Sequence, residues 1–125
     1  MTLLMLWTNK AADATAINIA SDSRLSFGSI IWDHATKLHR IHPTQMWLGY
    51  CGDSFTGLSA IACATAVISS SKHLSKSSGS DKPTITARVA AIRTHLAGAL
   101  EYLPRDWRPT ATTLLFADYD QRKGR

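Results

Sequence analysis

The charged residues that could do chemistry in this chain sit in one short stretch. Asp22 and Arg24 follow the mostly apolar run "ATAINIA", and Lys37 opens another short apolar segment. An exposed Asp–Arg turn pair is ordinary solvation and contributes little. A carboxylate, a guanidinium and an ammonium gathered around one point would instead be a working cluster. Other candidates carry less. His34 and His39 are five apart and share no strand face, and His42 precedes a proline turn, so their spacing does not suit a metal. Ser23, Ser54 and the serine-rich segment offer hydroxyls, but none sits in a G-x-S-x-G elbow. Trp7, Trp32, Trp47 and Trp107 read as packing or interface residues.

The elements that must position those charges can be read from periodicity. Thr2 to Thr8 suits a strand, "NKAADA" a turn, and Thr15 to Ala20 a returning strand with Ile17 and Ile19 on one face. Asp22, Ser23, Ser26, Gly28 and Ser29 mark a loop. Thr36 to Ile41, the turn "HPT" and Gln45 to Cys51 suggest a hairpin, with Gly49 and Gly52 implying close backbone approach. Phe55, Leu58, Ile61, Ala62, Val67 and Ile68 predict a helix over Ser54 to Ile68. The segment "SSSKHLSKSSGSDKP" reads as a mobile loop. Ile85, Val89, Ile92, Leu96, Leu100 and Leu103 step by three or four, predicting a second helix stopped by Pro104. Thr110 to Ala117 reads as a last strand. The order β-β-β-β-α-α-β is not a βαβ pattern and predicts an α+β fold, with helices layered on a largely antiparallel sheet.

Bulk properties exclude several classes. The chain has 125 residues, a length suited to one domain with one core, and its 45% hydrophobic content argues against disorder. Its net charge of +5 reflects 14 basic against 9 acidic residues, partly from the terminal "QRKGR". No aromatic-interleaved basic stripe or zinc-ligand spacing points to nucleic acid. No apolar run reaches transmembrane length, and "MTLLMLW" lacks the basic flank of a signal peptide. Cys51 and Cys63 lie in apolar sequence and are expected to be buried, reduced thiols, which places the protein in the cytosol.

The series "TLLMLW…ATAINIASDSRLSFGS…ATKLHRI…QMWLGYCGD" resembles the first half of a proteasome β-type subunit and of the related bacterial peptidase that works with an unfoldase ring. These are N-terminal-nucleophile (Ntn) hydrolases with a four-layer αββα fold. The landmarks are Thr2, Asp22-Ser23-Arg24, Gly28, Lys37 and Gly49-Tyr50-Cys51-Gly52. Two helices and the strand "TTLLFADYD" match in order. The resemblance spans the whole chain and part of the family's domain, so residues 1–125 are expected to form one proteasome-like domain without its C-terminal half.

The resemblance implies a peptide or amide hydrolase that needs no cofactor or metal. Thr2 would be the nucleophile once Met1 is removed, and its α-amine, titrating near ~8, would act as the general base. Lys37 would favour the alkoxide and a neutral amine, Asp22 would hold Lys37, and Arg24 would brace the same network. The Gly52 N–H would donate to the oxyanion. Implied partners are a peptide or protein substrate, further copies or a complementing subunit, and an ATPase or unfoldase ring, with neither nucleic acid nor membrane. The sequence also departs from the pattern. Thr2 directly follows Met1, the first hairpin is longer, and the loop between Gly28 and Lys37 is one residue short. Asp53 arrives early, with Thr56 at the position where the family carries an aspartate. The chain also stops before the family's later strands and the serine and aspartate that support the threonine. A catalytically inactive assembly module, or an unrelated small α+β binding domain, would account for the same sequence without chemistry.

Overall fold

The computed structural model describes residues 3–11, 14–27, 29–104, 106 and 111–119. Strands β1 (Leu4–Ala11) and β2 (Ala14–Ser21) form an antiparallel pair running from Leu4↔Ser21 to Ala11↔Ala14. The turn expected from Asn9 onward is therefore shorter than the sequence suggests. The antiparallel ladder gives alternate residues on each strand a backbone partner, and this outweighs the weak β propensity of Asn9, Lys10 and Ala11.

The loop expected after Asp22 contains a further small hairpin, β3 (Leu25–Phe27) with β4 (Ile30–Trp32). The β-branched and aromatic run Ile30-Ile31-Trp32 suits a strand, and this outweighs the serines around it. Gly28 lies outside the described residues, as do Thr2 and Trp107.

Strands β5 (Leu38–Ile41), β6 (Met46–Gly52) and β7 (Thr112–Ala117) make a three-stranded antiparallel sheet with β6 in the centre. The turn between β5 and β6 contains a cis His42–Pro43 peptide. It is held by Thr44, whose hydroxyl donates to the Ile41 carbonyl at 2.5 Å and accepts from the Met46 N–H at 3.1 Å.

Two helices follow. Asp53 caps α1 (Ser54–Ser70), its carboxylate accepting from the Thr56 N–H at 2.7 Å. Thr84 caps α2 (Ile85–Glu101) in the same way, accepting from Ala87 N–H at 3.1 Å. Such a cap satisfies an otherwise orphaned N–H and stabilises a helix by about 1 kcal/mol.

Both helices pack on one face of the sheet. Met46, Leu48 and Tyr50 alternate along β6 toward that face, where Ile41, Met46 and Leu48 meet Ala64, Val67, Ile68 and Ile92. Each of the Ile, Met and Leu side chains among them, fully buried, contributes about 1.5–3 kcal/mol. The Tyr50 ring lies directly on Gly57, where any Cβ would overlap it. Across the sheet, a Cβ on Gly49 would stand 2.7 Å from Leu38 Cδ2 and 2.9 Å from Leu4 Cδ1, so β1 closes on that second face. The described residues thus form an α+β fold of hairpin, sheet and helices. Among them, no helix is long and apolar enough to cross a membrane.

The serine-rich segment expected to be mobile is tied down. Arg88, fully buried on α2, donates through Nε to the Leu74 carbonyl at 3.0 Å and through its second terminal nitrogen to the Lys76 carbonyl. Its remaining nitrogen bonds the Asp118 carboxylate, which also pairs with buried Lys82 at 3.5 Å. Cys51 and Cys63 are in no disulfide and are half-buried rather than enclosed, and burial raises the Cys63 thiol's pKa.

Replacing Arg88 by Met removes these bonds and leaves the buried Asp118 carboxylate without its guanidinium partner. Arg88→Met is expected to cost about 3–5 kcal/mol in urea unfolding, the range for breaking a buried ion pair. Lys72→Met, at an exposed position, should stay within about 0.5 kcal/mol of wild type.

Candidate functional site

The structure brings Asp22 and Lys37 together. Lys37 Nζ donates to Asp22 Oδ1 at 2.6 Å, with the lysine side chain 2% exposed and the aspartate 29%. An ammonium withdrawn from water is tolerated only beside an anion, so the two residues fix each other. The second carboxylate oxygen, Oδ2, accepts the backbone N–H of Leu3 at 3.2 Å, and the Asp22 N–H returns a bond to the Leu3 carbonyl at 3.0 Å. One carboxylate therefore joins the start of β1 to the segment carrying Lys37.

That segment is held at further points. Ala35 N–H donates to the Ser23 carbonyl at 2.8 Å, and Tyr50 N–H donates to the Lys37 carbonyl at 3.4 Å. The Ser23 hydroxyl bonds the Asp33 carbonyl. Lys37 thus sits between the end of β2 and the middle of β6, with little freedom to turn away.

Arg24 is placed differently from the expectation. Its Nε donates to Asp33 Oδ1 at 2.6 Å in an ion pair whose two side chains are 61% and 54% exposed. It feels the charge of Asp22, but its hydrogen bonds go to Asp33. The reason is the small hairpin: Leu25 pairs with Trp32, so Arg24 and Asp33 stand opposite each other at the open end of that ladder. Asp33 is the residue that sequence reasoning missed. Its signal was the nine-residue spacing from Arg24, which becomes a cross-strand spacing once Ile30-Ile31-Trp32 is read as a strand.

Gly52 ends β6 with φ +114°, and a Cβ there would stand 2.5 Å from the Ala111 carbonyl oxygen. Only glycine accepts that conformation and that approach. Asp53 follows, its N–H donating to Thr112 Oγ1 at 3.2 Å. Lys37, Gly52, Asp53 and Phe55 line a cleft of about 140 Å³ together with Arg24 and Ser26. Thr2 lies outside the described residues. Its covalent neighbour Leu3 is the residue bonded to Asp22. Among the described residues, no three His, Cys, Asp or Glu side chains converge to hold a metal.

No family model matches the chain, and no curated protein matches it.

The Lys37 hydrogen bond, aided by the Leu3 N–H and opposed by burial, holds the Asp22 carboxyl below its ordinary value. A lowered carboxyl pKa stabilises the folded chain above about pH 4, and that stabilisation is lost as pH falls through the lowered value. Lys37→Met should therefore raise the Asp22 titration midpoint, followed by carboxyl-carbon NMR. An unchanged midpoint would show that the pair does not set the charge of Asp22.

Proposed function

We propose that this chain is a proteasome-like Ntn hydrolase homologue, cleaving peptide or amide bonds with Thr2 as nucleophile once Met1 is removed. The observation that carries this reading is the buried Lys37–Asp22 pair, whose carboxylate also bonds the amide of Leu3, the residue joined to Thr2. The layering of a hairpin, a sheet and two helices supports an αββα architecture of which these residues supply part.

In this mechanism the Thr2 hydroxyl proton passes to its own α-amine as Oγ attacks the carbonyl carbon. The Lys37 ammonium favours the neutral amine and the developing alkoxide. Asp22 holds Lys37 in place, and the Gly52 N–H donates to the oxyanion. Collapse breaks the C–N bond, the protonated amine leaves, and water hydrolyses the ester on Thr2. The substrate is a peptide or unfolded protein, and a ring of further copies with an ATPase or unfoldase would deliver it. Arg24 shapes the rim of the cleft through Asp33 rather than bracing Lys37.

A second reading, an assembly module without catalysis, is favoured by the exposed apolar strand β4 of the β3–β4 hairpin. Ile30, Ile31 and Trp32 there are 66%, 59% and 56% exposed.

Intact mass spectrometry separates the two. The hydrolase reading expects loss of Met1 and, with a peptide epoxyketone, a single adduct that Thr2→Ala abolishes. Lys37→Met should slow adduct formation at least about 100-fold, the lower range for losing one charge-stabilising group. Retained Met1, or no adduct on the processed chain, leaves the assembly reading.

A further inference from the structure

The Gly52 N–H can serve an oxyanion only if it is held toward the cleft, and β6 sets that direction. In an antiparallel strand the N–H and C=O of one residue point to the same edge, and successive residues alternate between edges. Tyr50 N–H reaches the Lys37 carbonyl, so Tyr50 and Gly52 point to the β5 side. Cys51 points to the β7 side, where it opposes Thr113. The Cys51 C=O and the Gly52 N–H belong to one planar trans peptide, so a carbonyl turned to β7 leaves the N–H facing the Lys37 side. Lys37 and Gly52 line the same cleft.

β6 ends at Gly52, and its φ of +114° swings the following peptide out of the strand. Glycine has the widest choice of φ, so the aim of its N–H is only as firm as the two peptides that flank it. The ladder holds the first. The second is the Gly52–Asp53 peptide, whose N–H donates to Thr112 Oγ1 at 3.2 Å.

Asp53 makes two other bonds, but both run into α1. Its carbonyl accepts Gly57 N–H at 3.0 Å and its carboxylate accepts Thr56 N–H at 2.7 Å. These would move with the helix. The Thr112 bond spans 59 residues and ties the turn to the sheet instead. Thr112 also opposes Gly52 in the β6–β7 register, and its Cα and the Ala111 carbonyl occupy the place a Cβ on Gly52 would need. The start of β7 therefore backs the turn, although neither residue lines the cleft.

We propose that Thr112 is a positioning residue for the oxyanion donor: its hydroxyl, by accepting the Asp53 N–H, holds Gly52 at the angle that aims the Gly52 N–H into the cleft. This role rests on the hydrolase reading above. Thr112→Val keeps the branched shape and loses the acceptor, whereas Thr112→Ser keeps it. The donor stays present in Thr112→Val but is no longer held. The loss should therefore lie near the roughly 100-fold of a misplaced group, below the upper range for a donor removed outright.

Intact mass spectrometry of the chain lacking Met1, followed over time with a peptide epoxyketone, tests it. The ketone oxygen becomes an oxyanion as Thr2 Oγ adds to the ketone carbon, so adduct formation needs the donor. Thr112→Val should react about 10- to 100-fold more slowly than wild type, and Thr112→Ser within about threefold of it. By NMR, the Asp53 amide hydrogen should exchange faster in Thr112→Val alone, whatever the chemistry. The α-amine of Thr2, which Lys37 governs, should keep its titration midpoint in both variants. If Thr112→Val loses its circular dichroism signal, Thr112→Ala decides by the same measures. Adducts as fast as wild type, unchanged Asp53 exchange, a shifted amine midpoint, or no rescue by serine overturns the positioning role and leaves the hydrolase reading standing. Wild type that forms no adduct removes the hydrolase reading itself, and the role of Thr112 with it.

Discussion

The arrangement of the site depends on one shared carboxylate. Asp22 accepts an ammonium on one oxygen and a backbone amide on the other, joining the β2 end, the β1 start and the loop before β5. The constraint comes from Lys37. At 2% exposure its charge has lost almost all contact with water, and desolvation of that kind is offset only by a close anion. Moving Asp22 away would therefore cost Lys37 the anion that stands 2.6 Å from its ammonium. By contrast, the exposed Arg24–Asp33 pair contributes little to stability and serves to close the small hairpin.

Two glycines let the layers approach closely enough for that bridge to form. Gly49 admits Leu38 and Leu4 against the sheet, which brings β1 down onto β6. Gly57 does the same for Tyr50 under α1. At the opposite end, Arg88 and Lys82 hold Asp118 just after β7 and bind the serine-rich segment into the body. Two buried clusters, one around Asp22 and one around Asp118, thus fix the two ends of the sheet assembly. Between them the apolar core is confined to the helix side.

Helices and most strands were legible because their periodicity is strong. Ile85, Val89, Ile92, Leu96 and Leu100 trace α2, and the alternation in Met46–Gly52 traces β6. Arg88 was not legible: an arginine beside an apolar stripe reads as a solvated neighbour until its carbonyl and carboxylate partners are known, and those lie 12 to 30 residues away. The same blindness to distant partners made the serine-rich segment look loose. The β3–β4 hairpin was hidden by its serines, although Ile30, Ile31 and Trp32 carried the strand signal. The nearness of Asp22 to Lys37 was expected only from the family resemblance proposed for the sequence, since a separation of fifteen residues carries no local signal of contact. Arg24 was assigned to the wrong partner because Asp33 looked like part of a loop.

The proposed chemistry requires the amine of Thr2 to feel the Lys37 ammonium. The direct measurement is the titration of that α-amine by nitrogen NMR in chain lacking Met1. A midpoint below the ordinary ~7.7–8.0 for an α-amine is expected, rising toward it in Lys37→Met. A midpoint at the ordinary value, indifferent to the loss of Lys37, would contradict it.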